Sequence, residues 1–95
     1  MKKTFALTHE TLATARVVEA IKHDVRKYLK RERAKALPKG ADFWDFDCRF
    51  GADATSSQPV HVTEINTLIS QAEADQLAQC YIEIMAKPGH RAPKE

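Results

Sequence analysis

The run FWDFDCRF at positions 43–50 places Trp44, Phe46, Cys48 and Phe50 in strict alternation with Asp45, Asp47 and Arg49. A period of two is the period of an extended chain, whose side chains point to opposite faces in turn. The run therefore demands a strand with one buried face and one wet face. An isolated strand of this kind is not stable, so the rest of the chain must supply sheet partners and a cover for the apolar face.

The cover comes from a change of period. From about Ala15, the residues Val18, Ile21, Val25, Leu29 and Ala36 form one stripe at helical spacing, with Val17 and Tyr28 at its margin. Thr11 or Thr14 suits the cap, and Pro38 and Gly40 end the helix near Ala36. Before it, Phe5 and Leu7 in Lys3–Leu7 alternate as a short first strand. After the central run comes a polar loop, residues 51–59. Val60 and Val62, alternating with His61 and Thr63, read as a third strand. Thr63 can cap a second helix with Ile65, Leu68, Ile69 and Ala72 inward, and Cys80, Ile82 and Ile84 set the inner face of a last strand. Glu32 falls on the inward stripe of the first helix, which predicts either an overhang beyond the sheet or a basic partner.

The order βαββαβ, with strands apolar on one face only, predicts an α+β fold. It is a two-layer sandwich, a ferredoxin-like four-stranded antiparallel sheet with two helices on one face and spatial strand order 4-1-3-2. Residues 1–87 form the single domain expected for 95 residues, and 88–95 a basic flexible tail. In that order Cys48 and Cys80 stand on opposite edges, about 14 Å apart at ~4.8 Å per strand. Both are thus expected to be buried free thiols rather than a disulfide. Two cysteines without a CxxC pair, no apolar run near the ~18 residues of a membrane span and no signal-type segment together predict a cytoplasmic protein with no membrane partner.

The runs MKKTFALTH, VEAIKHDVRKYLKRERAKALPKG, DFWDFDCRFG, HVTEIN and YIEIMAKPGHR resemble a small bacterial family of short proteins of unknown function. The resemblance spans nearly the whole chain. It implies a free-standing bacterial cytoplasmic protein, and it carries no catalytic residue to any position.

Charge is sorted along the chain. Residues 1–39 hold eleven Lys/Arg against four Asp/Glu, and residues 40–86 hold one Arg against eight acids. On the first helix Arg16, Lys22, Arg26, Lys27, Lys30, Arg31 and Arg33 cover the surface away from the apolar stripe, relieved by Glu19 and Asp24 alone. Such a surface suits nucleic acid or another polyanion, because each phosphate contact releases counterions. The competing reading is a solvated charged face, favoured for Lys30–Lys35 by the helix dipole. A second constellation is the outer sheet face, where Asp45, Asp47 and His61 offer a metal or small-ligand site. The plainer alternative there is an ion pair between strands. Aromatic stacking of RNA bases on the sheet is disfavoured, because the expected central strands offer Thr4, Ala6, His61 and Thr63. A basic helical side and an acidic sheet side also predict attraction between copies, and hence a homo-oligomer. No Gly-rich phosphate loop, GxSxG or HExxH occurs, so no cofactor and no catalytic residue are assigned. The reading is a non-enzymatic binding module.

Overall fold

The computed structural model describes residues 1–91. Its elements are β1 (Lys2–Ala6), α1 (Thr14–Arg33), β2 (Phe43–Gly51), β3 (Gln58–Val60), α2 (Ile65–Ala74) and β4 (Gln79–Gly89), with a single 3-10 turn, Val62–Glu64, leading into α2. Phe5, Phe46, Cys48, Cys80, Ile82 and Ile84 join Val18, Ile21 and Val25 of α1 and Ile65, Ile69 and Ala72 of α2 in one core. The register sets Phe5 opposite Cys80 and Cys48 opposite Ile84, so the strand members share one sheet face and both helices lie on it. The two-layer α+β sandwich is as the periodicities require.

The sheet is antiparallel throughout, in the order β1-β4-β2-β3. The pairs β1–β4 and β2–β3 are those of the expected order. They join through β4 and β2 rather than through β1 and β3, which corrects 4-1-3-2. Length explains the difference. β4 has eleven residues and β2 has nine, whereas β3 has three. β3 stops at Val60 because the His61 side chain accepts from the Thr63 N–H and starts the 3-10 turn. A strand that short cannot satisfy two long neighbours, and Pro59 within it cannot donate to a second ladder.

Cys48 and Cys80 are buried free thiols, though not for the reason of strand order. Their strands are neighbours, but Cys48 faces Ile84, four residues along β4 from Cys80. At about 3.4 Å per residue the thiols are ~14 Å apart along the strand.

Local details also depart from expectation. The α1 N-cap is Ala13 without a side-chain bond, while His9 Nδ1 accepts from the N–H groups of Thr11 and Leu12 in the preceding loop. α1 ends at Arg33, and Glu32 resolves its conflict by pairing with Lys35 at 2.6 Å. That bond holds the Glu32 carboxyl below the usual range. β4 continues to Gly89, paired with Phe43, and the Arg91 N–H donates to Asp42. The expected tail is therefore tied to the sheet from 88 to 91, and its remainder, 92–95, lies outside the described residues.

Candidate functional site

α1 buries one stripe and leaves its other sides to water, and the seven predicted basic residues divide among those sides. Arg16, Lys27 and Lys30 are exposed. Arg31 is held with its guanidinium 5.6 Å from the Tyr28 ring centre, and Arg33 5.3 Å from that of Phe46. Arg26 and Arg33 line a groove against Thr63 and Asn66. Lys22 is half-buried, and its Nζ donates to Ser70 Oγ at 2.6 Å, so it braces α1 against α2. Among the described residues, none of the seven has a carboxylate within 4.0 Å, the ion pair at this end of α1 being Lys35–Glu32. The positive surface is uncompensated by local pairing.

The fold adds a cation from outside α1. Lys3 faces Ile82 across the β1–β4 ladder, which places it on the helix side. Its Nζ lies 4.9 Å over the Phe5 ring, and it shares a cleft of about 230 Å³ with Lys27, Arg31 and the acid Asp24. Alternation with Phe5 already puts Lys3 on this face, but only the packing of α1 beside β1 sets it next to Lys27 and Arg31.

The open sheet face differs from the expected acidic surface. Lys87 extends across it, 2.6 Å from Asp47 and 4.0 Å from Asp45. The hydrogen bond to Asp47 raises the Lys87 pKa. Arg49 stands opposite Glu83 and donates to Ser57 Oγ and to the Ser57 carbonyl at 3.1 and 2.6 Å. Glu83 accepts from the Tyr81 hydroxyl at 2.8 Å, which pushes the tyrosine pKa up. Glu83 and Tyr81 stand on the central strand β4, not on an edge. Tyr81 is buried, so it is no platform for stacking. The face is a mixed-charge surface whose acids mostly have partners.

Asp45, Asp47 and His61 do line one shallow recess of about 640 Å³, with Arg49, Glu64 and Glu83. Continuing the Cys48–Val60 register by one residue puts His61 across from Asp47. Their side chains are otherwise engaged: Asp47 with Lys87, and His61 Nδ1 with Thr63 Oγ1 at 2.8 Å. Among the described residues, no group of three or more His, Cys, Asp or Glu could hold a metal ion. The three predicted residues share the recess without forming such a group.

One further feature lies at the free edge of β2, where Arg33, Lys35, Leu37, Phe43 and Trp44 line a cleft of about 460 Å³. Leu37 and Phe43 are 41% and 39% exposed.

Fold and surfaces together define a small two-layer α+β domain with a cation-rich helix on one side and bare mixed-charge strands on the other. Among its described residues no helix is long and apolar enough to cross a membrane. The chain belongs to a family of unknown function, DUF6172, whose sequence profile matches residues 1–95. Comparison with curated proteins and with solved structures finds no match in either.

Proposed function

We propose that the protein is a binding module whose α1 surface engages a polyanion, with the phosphate backbone of a nucleic acid as the leading partner. The observation that carries the reading is the set Arg16, Arg26, Lys27, Lys30, Arg31 and Arg33. All are exposed, and none has an acidic partner among the described residues. Lys3 extends the set onto the sheet edge. Side chains left free of carboxylates keep their full charge available to phosphates. The apolar stripe of α1 is already committed to the core, so the helix has no second apolar face to lay on a lipid surface.

Electrophoretic mobility shift of a single-stranded oligonucleotide tests this. If four cations contact phosphates, log K falls by about 0.7 per contact per decade of salt. Affinity should then drop about 50-fold between roughly 50 and 200 mM salt. Reversing the charges in Lys27→Glu, Lys30→Glu and Arg31→Glu together should abolish the shift. Absence of any shift at about 50 mM salt would remove the proposal.

A further inference from the structure

The β2 edge beyond β3 combines three properties that the helix surface alone does not explain. Ile84 N–H donates to the Met1 carbonyl, so the even residues of β4 direct their backbone groups toward β1. By antiparallel alternation its odd residues face β2. The register then turns the backbone of Trp44, Phe46, Cys48 and Phe50 toward the outer edge. β3 covers only Cys48–Phe50, so the edge is open at Trp44 and Phe46.

Beside this edge lies the cleft of Arg33, Lys35, Leu37, Phe43 and Trp44. Four large apolar side chains are exposed among the described residues, and two of them, Leu37 and Phe43, meet here. The Phe43 ring lies against Gly89, where a Cβ would overlap it, so glycine lets the ring rest on the end of β4. The Trp44 indole N–H donates to the Lys35 carbonyl at 2.8 Å, fixing both the indole and the chain after α1. The cleft thus combines apolar and aromatic walls, Leu37, Phe43 and Trp44, with two cations, Arg33 and Lys35. A peptide strand added along the edge would find the Phe46 N–H already taken, because it donates to Asp45 Oδ1 at 2.8 Å. A flat aromatic group with an attached anion meets no such obstacle.

We infer that this cleft stacks one unpaired base of a single-stranded nucleic acid whose phosphates run along the C-terminal half of α1. The inference rests on the polyanion reading and narrows it to single strands. A duplex keeps its bases stacked within itself and cannot offer one to Phe43. Stacking on an aromatic ring is the sequence-tolerant way to prefer a single strand, and Arg33 would hold the adjoining phosphate.

The test compares three probes of one sequence: a single strand, its abasic counterpart and the duplex. Trp44 is the lone tryptophan, so its fluorescence reports occupancy of the cleft directly. The base-bearing strand should quench Trp44 and bind about tenfold more tightly than the abasic strand. Phe43→Ala should erase that difference and leave abasic binding unchanged, while Phe43→Tyr keeps it. Equal binding of abasic and base-bearing strands overturns the stacking cleft and leaves the phosphate reading standing. A Phe43→Ala loss equal on all three probes also overturns it, since the ring would then serve only the fold. No binding of any probe overturns both.

Discussion

Raising the pH should destabilise this protein through its two thiols. Cys48 and Cys80 are 4% and 0% exposed, and burial pushes each thiol up to about 11, with Asp47 and Asp45 adding to the effect at Cys48. In the unfolded chain a thiol ionises near ~8.5. Because the folded pKa is the higher one, the stabilisation is complete below about pH 8.5 and is lost as pH rises toward 11. At pH 10 the unfolded state gains about 2 kcal/mol per thiol from ionisation that the core denies, or ~4 kcal/mol for both. That is a large part of the ~5–15 kcal/mol that holds a small domain together. Tyr28, Tyr81 and Lys87, all raised, act in the same direction, so the thiols must be isolated by difference. Urea unfolding under reducing conditions at pH 7 and pH 10 does this with Cys48→Ala, Cys80→Ala and the double variant. Each variant should be about 1–2 kcal/mol less stable at pH 7, yet lose ~2 kcal/mol less than wild type on going to pH 10. The double variant should recover both increments. Parallel losses in wild type and double variant would refute the reasoning, because the thiols would then ionise as easily folded as unfolded.

Two further outcomes follow from the packing. Ile82 is fully buried on the central strand β4, so Ile82→Ala should lower the stability measured by urea unfolding by about 2–5 kcal/mol; a loss under 1 kcal/mol would contradict its place in the core. Asp45→Ala frees the Phe46 N–H on an open strand edge and should promote edge-to-edge pairing, seen as a sedimentation coefficient that rises with concentration, whereas Asp45→Asn, which keeps an acceptor, should not. Identical sedimentation of wild type and Asp45→Ala would show that this carboxylate does not guard the edge.

The two periodicities were legible from residues alone, because each is local. The alternation of Trp44, Phe46, Cys48 and Phe50 and the stripe of Val18, Ile21 and Val25 fix which side of each element must be covered, whatever the topology. The sequence by itself therefore determined two layers, one core and a helix whose outer surface is basic. Strand order is a competition among pairings distant in the chain, and the tertiary structure decided it. The lengths of β2 and β4, and the halt of β3 at His61, put β4 at the centre. Pro59 was the available sign that β3 belongs on an edge. The same long-range pairing turned the expected acidic face into a mixed one, since Lys87 reaches Asp45 and Asp47 only once β4 lies beside β2. It likewise gathered Leu37, Phe43 and Trp44 beside Arg33. Charge along a chain can be counted from its residues, but which charges and rings become neighbours depends on contacts that only the folded backbone brings within reach.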